Sequence, residues 1–370
     1  MNTRKSLVSI LMFVCVLLSA CAPAATAMPP SPTVAPPTQV ADTASPVPTL
    51  LSEFPGVGKV LETVLLPVNP NRDSVYAFDS LWLLYDADGT VTRWNPVNRQ
   101  VLATITVGDP GKAPYGDPVN AVATADSIWV TSVASREIVR IDPNTNQITE
   151  RIPLGQVDGR DFVTNVMVGD DSNLWVWDYD RRITLRIDLK TKQVAATIPN
   201  VTPATVADGS FWAWDSQYSR DASNLLRIDP ATDQIVAKIP LRGLTTQNTS
   251  SENSLWLGHG KELLRIDTHT NQVIARLDFV ETVESWSLVV GDTVWVVVGP
   301  GNGPPACHDI QRAFLVRIDS KTNTVVGKIG LDCPGEIFQI ENTIWVYSGL
   351  NDSTSTYYGS LNAVLIRPNE

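Results

Sequence analysis

Residues 127–153 read SIWVTSVASREIVRIDPNTNQITERIP, and this stretch decides the fold. It joins an apolar-Trp pair, Ile128-Trp129, to a short polar turn, an Arg-Ile-Asp segment at 140–142, a second turn and a final polar-apolar segment. The segments alternate with period two, which is typical of β-strands. The second turn begins with Asp142-Pro143, where the Asp side chain bonds the backbone ahead of it and Pro fixes φ.

The same pattern recurs along the chain. An apolar-Trp pair occurs seven times, at spacings of 37 to 50 residues, which indicates a repeat array; its tryptophans are Trp82, Trp129, Trp175, Trp212, Trp256, Trp295 and Trp345. An arginine follows each pair; these are Arg93, Arg140, Arg186, Arg227, Arg265, Arg317 and Arg367. Residues that recur in every repeat belong to the scaffold, so we interpret the tryptophans as inter-blade packing. The Arg and the Asp two positions on, such as Arg140 and Asp142, we interpret as repeated structural pairs.

The last strand of the repeat is displaced to the front of the array. Six Gln-Val-like strands follow their own repeats, but the chain ends soon after Arg367, and a matching strand stands at 59–66. Closing a ring removes exposed strand edges. The sequence therefore predicts an all-β, seven-bladed β-propeller over residues 56–370, with an N-terminal strand that closes the last blade by pairing with 363–367.

The Arg-Ile-Asp-Pro-x-Thr-Asn-x-Val and Leu/Ile-Trp-Val motifs resemble those of YVTN-type and NHL-type extracytoplasmic propellers. This set includes the streptogramin (virginiamycin B) lyases, and the resemblance covers 56–370. In those lyases, His and Glu near the Trp-containing strands bind Mg²⁺ and open a cyclic depsipeptide. No Glu follows any of the seven tryptophans at the expected place here, and no hydrolase, phosphate-loop or zinc-protease motif occurs. The resemblance supports the architecture, while propellers host unrelated functions.

The amino terminus is typical of a bacterial lipoprotein. Arg4 and Lys5 precede an apolar stretch of about a dozen residues, too short to span a bilayer, and Leu18-Ser19-Ala20-Cys21 matches a lipobox. We expect a signal peptide over 1–20, lipidation of Cys21 and a Pro/Ala/Thr-rich disordered tether over 21–55. The protein would be extracytoplasmic, held by its lipid in the bacterial cell membrane or the outer membrane.

The charge limits the class of partner. The formal net charge is −11, and removal of the first twenty residues leaves 26 basic against 39 acidic residues, or −13. Binding to nucleic acid needs a basic surface that displaces phosphate counterions. The composition therefore argues against a nucleic-acid partner, and we expect a monomer that meets the membrane through Cys21.

Three loops and one strand position are candidates for the functional site. The loops between the second and third strands are long at 215–224, 299–312 and 349–359, and long loops on a rigid scaffold concentrate binding residues. Asp178, Asp215 and His259 stand three residues past their tryptophans, at the loop end of the strand. They could ligate a divalent metal or bond a polar ligand, or simply cap the strand ends. No cofactor is predicted.

Aromatic residues mark the same region. Trp177 and Trp214 stand two residues past the repeat tryptophans, and with Trp286 they could form a platform for a sugar or another flat ligand. Packing between blades is the alternative. We interpret the protein as a binding or interaction module whose long-loop face takes a small molecule, a glycan or a protein. A lyase or hydrolase with a divergent site on the long-loop face is the first alternative, and a structural part of an envelope complex is the second. The sequence motifs argue against enzymatic activity without deciding the question.

Two cysteines are predicted to form a disulfide. Cys15 leaves with the signal peptide and Cys21 carries lipid, so Cys307 and Cys333 are the remaining thiols. Cys307 lies in the loop between the second and third strands of the sixth repeat, and Cys333 lies in the connection to the seventh repeat. These loops share one face, and the compartment outside the cytoplasm permits disulfides. Two unlinked thiols or a metal site at Cys307 and His308 are the alternatives.

Overall fold

The computed structural model describes residues 54–68, 74–112, 116–157, 160–161, 164–215, 223–241, 248–251, 253–299, 312–332, 334–349 and 361–367. The predicted signal peptide, Cys21 and the tether up to residue 53 lie outside these residues. The described chain is all-β apart from a 3₁₀ turn at Pro110–Lys112. None of the described residues form a helix long and apolar enough to cross a membrane.

Six antiparallel sheets each contain four consecutive strands, and we call them blades 1 to 6. In chain order their strands are β2 Val75–Ala77, β3 Ser80–Tyr85, β4 Thr90–Asn95 and β5 Gln100–Thr106; β6 Ala121–Thr124, β7 Ser127–Ser132, β8 Glu137–Asp142 and β9 Gln147–Pro153; β12 Thr164–Gly169, β13 Asn173–Asp178, β14 Ile183–Asp188 and β15 Gln193–Pro199; β16 Val201–Ala207, β17 Ser210–Asp215, β18 Ser223–Asp229 and β19 Gln234–Leu241; β20 Asn248–Ser251, β21 Ser254–His259, β22 Glu262–Asp267 and β23 Gln272–Asp278; β24 Thr282–Val290, β25 Thr293–Gly299, β26 Arg312–Asp319 and β27 Thr324–Asp332. A two-stranded ribbon, β10 Gln156–Val157 and β11 Arg160–Asp161, lies between blades 2 and 3.

The remaining four-stranded sheet joins the two ends of the described chain, and we call it the composite sheet. It contains β28 Pro334–Ile340, β29 Thr343–Gly349, β30 Leu361–Arg367 and, at its outer edge, β1 Lys59–Leu65. Strand β1 pairs with β30 from Lys59 opposite Arg367 to Leu65 opposite Asn362. The predicted pairing of the N-terminal strand with the last strand is therefore confirmed.

The expected count of seven blades needs a correction. Six blades consist of consecutive strands and carry the full repeat, in which an arginine of the third strand lies opposite the tryptophan, as in Trp82 opposite Arg93. In the composite sheet, Leu365 lies opposite Trp345, and Arg367 lies two residues further along. Arg367 is therefore not equivalent to the other six arginines. The fold has six blades and one composite sheet rather than seven equivalent blades.

The tryptophans pack between sheets, as predicted. The tryptophan of each sheet lies in one apolar cluster with the residue that precedes the tryptophan of the next sheet, for example Trp82 with Ile128 and Trp129 with Leu174. Trp175 and Phe211 stack with ring centroids 4.7 Å apart. The composite sheet continues the pattern, because Trp345 lies in one cluster with Leu81 of blade 1. The apolar-Trp pair is thus a head-to-tail contact that closes the ring.

The predicted Arg–Asp pairing is wrong for Arg140 and Asp142, because Arg140 donates to Asp126 at 2.8 Å and Asp142 caps its own turn. Arg186 donates two hydrogen bonds to Asp233 of blade 4, at 2.7 and 2.8 Å, and so reaches the next blade. Arg93 and Arg265 likewise reach Asn146 and Asn323 of the next blades, at 2.8 and 2.9 Å. The aspartates instead cap their own turns by accepting backbone N–H groups; they are Asp142, Asp188, Asp229, Asp267 and Asp319.

A β-bulge marks the outer strand of every four-stranded sheet among the described residues. Two adjacent residues of the third strand pair with residues two apart on the outer strand, as Arg93 and Trp94 pair with Ala103 and Val101. Strand β1 carries the same irregularity between Val60 and Glu62. A bulge twists an exposed edge away from regular pairing, which protects it from edge-to-edge association.

Candidate functional site

The sheet topology gives the propeller two distinct faces. The connections between second and third strands, and those between sheets, lie at one side, which we call the loop face. The tight turns between first and second strands and between third and fourth strands lie at the other side, the turn face. Asp178, Asp215 and His259 are the last residues of β13, β17 and β21, all at the loop end of a second strand. Their predicted placement on the loop face is therefore confirmed.

Asp178 organises its own loop. Its side chain is fully buried and accepts backbone N–H groups of Asp180 at 3.0 Å and Arg181 at 3.1 Å. The guanidinium of Arg181 pairs with its other oxygen. A buried carboxylate needs such partners, because an unpaired charge away from water is costly. Asp178 thus fixes the turn from residue 179 to residue 182.

Asp215 of the next blade also has partners within the protein. Its carboxylate accepts hydrogen bonds from the Lys238 ammonium at 3.2 Å and from the Asn224 amide at 3.4 Å. Within the described residues, no group of three or more His, Cys, Asp or Glu side chains is placed to hold a metal ion. The side chain of His259 lies outside the described residues, so its role stays a prediction.

A carboxylate that sequence reasoning missed lies beside the same strand end in blade 2, in the connection that precedes β6. Asp117 is fully buried and accepts the Ser132 hydroxyl at 3.0 Å and the backbone N–H groups of Val133 and Asp109, both at 2.9 Å. A Cβ at Gly108 would overlap its carboxylate. Asp117 therefore ties the connection between blades 1 and 2 to the loop end of β7. The Asp-Pro dipeptide at 117–118, which is typical of turns, is the sequence feature that could have indicated this residue.

The aromatic candidates occupy different environments. Trp214 is buried among apolar residues of blades 4 and 5, at 3% exposure, so for this residue the packing alternative holds. Trp177 is half-buried, and its ring meets the ring of Tyr179 edge to face, with centroids 5.5 Å apart. Trp286 belongs to β24, but its side chain lies outside the described residues. The three predicted members of the platform are therefore not shown to converge.

Tyr179 is the functional candidate that sequence reasoning did not name. Its side chain is 61% exposed, and it lies on the turn that Asp178 fixes. The Trp177 indole N–H is buried and has no hydrogen-bond partner among the described residues. Tyr and Trp offer a large, rigid contact area with few rotatable bonds, and such pairs recur in binding surfaces. We call Trp177 and Tyr179 the aromatic pair.

Like Trp177 and Trp214, a third aromatic residue stands two positions past a repeat tryptophan, and it is buried. Tyr347 of β29 stands two residues past Trp345 and contacts Phe338, with ring centroids 5.1 Å apart. Burial raises the pKa of Tyr347 well above its usual value, and the charge of Glu336 raises it further. The phenol is therefore neutral at physiological pH and serves packing.

Several predicted features fall on residues outside the described part of the chain. These include most of the three long loops, at 216–222, 300–311 and 350–360, as well as Cys307 and Cys333. The disulfide stays a prediction.

No protein-family model matches the chain, and no curated protein matches it. Among solved structures, the chain is similar to hydrazine synthase from Kuenenia stuttgartiensis, with a TM-score of 0.57 and 11% identity over 88% of this chain and 98% of that one. It is also similar to BamB from Moraxella catarrhalis, with a TM-score of 0.53 and 10% identity over 84% of this chain and 100% of that one. At such identities the likeness shows the fold alone. The chain is a β-propeller, and its resemblance to YVTN-type, NHL-type and streptogramin lyase propellers is not confirmed as family membership.

Proposed function

We propose that the protein is a lipid-anchored extracytoplasmic β-propeller that binds a protein partner through its loop face. The observation that carries this proposal is the aromatic pair. Tyr179 presents an exposed ring on a turn whose backbone the buried Asp178 holds in place, and Trp177 supports that ring from the side. A rigid aromatic anchor loses little conformational entropy on binding, which is the property of residues that dominate interface energies.

Binding is favoured over catalysis by the partners of the titratable groups. Asp178 and Asp215, the acidic candidates, are engaged by Arg181 and by Lys238 and Asn224, and Asp117 is engaged by backbone N–H groups. A general base or nucleophile needs a group that is free to meet the substrate. None of these three carboxylates favours the lyase or hydrolase hypothesis. A structural role in an envelope complex would use the same face and is one form of the proposed binding.

The proposed location rests on the lipobox at Cys21. Replacing Cys21 with Ala removes the acylated thiol while leaving the propeller sequence intact. We expect the wild-type protein to partition into the detergent-rich phase of a Triton X-114 separation. The variant, expressed behind a signal peptide whose cleavage does not need a lipobox, should lose that partitioning. Mass spectrometry of the N-terminal peptide would show the lipid directly. An unmodified Cys21 in membrane-bound protein would exclude lipid anchoring.

The binding face is tested by photocrosslinking in the producing cells. A photoreactive amino acid replaces Tyr179 in one full-length protein and Val97, an equally exposed residue on the turn face, in another. We expect a discrete product, larger by the mass of a protein, from position 179 and none from position 97. Excess purified protein should suppress it. A product equal from both positions contradicts the proposed face, and a small mass increase would indicate a glycan or a small molecule instead of a protein.

A further inference from the structure

The residues just before β1 pair with the outer edge of blade 6. The Val57 N–H donates to the Lys328 carbonyl, and the Lys328 N–H donates to the Pro55 carbonyl, both at 3.1 Å. Gly56 and Lys328 form a parallel bridge. Residues 55–57, which we call the entry segment, thus extend blade 6 by one short parallel strand before the chain crosses to the composite sheet.

The entry segment stands where the composite sheet lacks a turn. In blades 2 to 6, the turn between the third and fourth strands presents a residue with positive φ; these residues are Asn146, Lys192, Asp233, Asn271 and Asn323. In blades 2, 4, 5 and 6, this residue accepts a hydrogen bond from the arginine of the preceding blade. The composite sheet has no such turn, because β30 and β1 are not consecutive in the chain. The junction after blade 6 therefore needs another element, and the entry segment lies there.

Gly327 makes room for the entry segment. A Cβ at Gly327 would lie 2.2 Å from Val57 Cγ1 and 2.8 Å from the Pro55 carbonyl oxygen, closer than real Cβ contacts allow. The residue lies opposite Arg317, and at the equivalent register four other blades have alanine: Ala103, Ala196, Ala237 and Ala275. The strand itself therefore accepts a methyl group at this position. The glycine serves the docked segment rather than the strand.

We propose that the outer edge of blade 6 is an intramolecular binding site for the entry segment, and that Gly327 selects this edge among those of the six blades. The parallel direction has a consequence for the whole chain. Outer strand β27 runs from the turn face to the loop face, so the entry segment does the same, and residue 54 lies toward the turn face. The N-terminal chain joins the propeller away from the aromatic pair. If the proposed lipid anchoring holds, this leaves the loop face open to a partner.

Hydrogen–deuterium exchange of the full-length protein tests the docking, which does not depend on the proposed function. In Gly327→Ala, we expect peptides spanning 54–58 and the Lys328 amide to exchange at least about 10-fold faster than in the wild type. Peptides from blades 2 to 4 should be unchanged. Gly330→Ala is the matched control in the same strand, because a Cβ there meets its nearest atom, Phe314 Cε1, at an ordinary 3.9 Å. It should exchange like the wild type.

Unchanged protection of 54–58 in Gly327→Ala would overturn the proposal. If exchange rises throughout blade 6, the double variant Gly327→Ala, Val57→Ala separates the two explanations. Removing the Val57 methyl groups relieves two of the three closest overlaps, so docking predicts partial recovery of protection at Lys328. No recovery would mean that the methyl group harms blade 6 itself, and the proposal would fall.

Discussion

Lys192 of blade 3 pairs with Glu150 of blade 2 at 3.2 Å, across a junction that other blades build differently. Glu150 lies opposite Arg140, at the register where most blades have alanine, and Lys192 occupies the positive-φ position where most blades have Asn or Asp. The same exchange occurs before blade 1, where Arg99 at the positive-φ position pairs with Glu62 of β1. In both junctions, a basic residue in the turn thus forms an ion pair with a glutamate of the preceding sheet.

This relationship predicts compensation between two substitutions. Glu150→Ala leaves the Lys192 ammonium and the Arg140 guanidinium together beside Trp129, at 5.0 and 5.9 Å from its ring centre. We expect it to lower the free energy of unfolding by about 1 kcal/mol. Adding Lys192→Asn recreates the Ala–Asn junction of other blades and should recover most of that loss. Urea unfolding of the two single variants and the double variant measures the coupling; additive losses would contradict it.

Because strand β1 closes the ring, we expect substitutions of two adjacent residues in it to have different effects on stability. Val64 of β1 is 5% exposed and lies in the cluster that contains Leu81 and Trp345, whereas Leu65 beside it is 65% exposed. Because removing buried methyl groups loses transfer energy and leaves a cavity, Val64→Ala should cost about 2 kcal/mol. Leu65→Ala should stay within about 0.5 kcal/mol. Equal effects in thermal or urea unfolding would show that β1 does not close the ring as described.

The closing strand was predictable, but its detailed register was not. Period-two alternation and the need for a ring without free edges point from residues 59–66 alone to pairing with the last strand. The spacing of arginines, however, placed Arg367 in the position that Leu365 occupies. The composite sheet has a long loop between its second and third strands, so distance along the chain carries no register information there.

The contact partners of the residues that recur in each repeat could also not be predicted from the sequence. Arg186 and Asp188 lie two positions apart on one strand, which suggests a local pair, yet Arg186 binds Asp233 of the next blade and Asp188 caps its own turn. The geometry of a neighbouring blade decides the arginine contact, and that geometry does not appear in a single repeat. Asp117 and Tyr179 were not predicted for a related reason. Each occurs in one blade only, and no repeated pattern in the sequence marks its position.

The turn-capping aspartates predict acid sensitivity. Backbone N–H of Thr191 lowers the pKa of Asp188, and backbone N–H groups of Ala231 and Thr322 do the same for Asp229 and Asp319. A carboxylate whose pKa is lower in the folded state stabilises the fold above its unfolded pKa, near 4. That stabilisation is lost as the pH falls through the folded pKa.

Replacing Asp188, Asp229 and Asp319 with Asn removes this titration without removing the cap. Asn95 shows that asparagine suffices, because it accepts the N–H groups of Val97 and Asn98 in blade 1. We expect the triple variant to melt close to the wild type at pH 7 and to lose less of its melting temperature between pH 5 and pH 2. Asn95→Asp should steepen the wild-type dependence. Parallel curves for all three proteins would contradict the pKa assignment.

The predicted disulfide between Cys307 and Cys333 is open to a mass measurement. It would close a loop of about 26 residues and stabilise the fold by about 3 kcal/mol, mainly by restricting the unfolded chain. Alkylation of the unreduced protein should leave both cysteines unmodified, and reduction should expose both. The Cys307→Ser variant should melt at a lower temperature under oxidising conditions and match the wild type under reducing ones. Two freely alkylated cysteines in unreduced protein would exclude the bond.

Competition at the loop face tests the central claim most directly. The measurement is the concentration of purified protein, produced from residue 22 onward, that halves the photocrosslink from position 179 of the anchored protein. We predict that Tyr179→Ala raises this concentration at least about 10-fold, or 1.4 kcal/mol, because an exposed rigid aromatic anchors the interface. Val97→Ala on the turn face should leave it unchanged. If Tyr179→Ala competes as well as the wild type, the aromatic pair does not bind the partner.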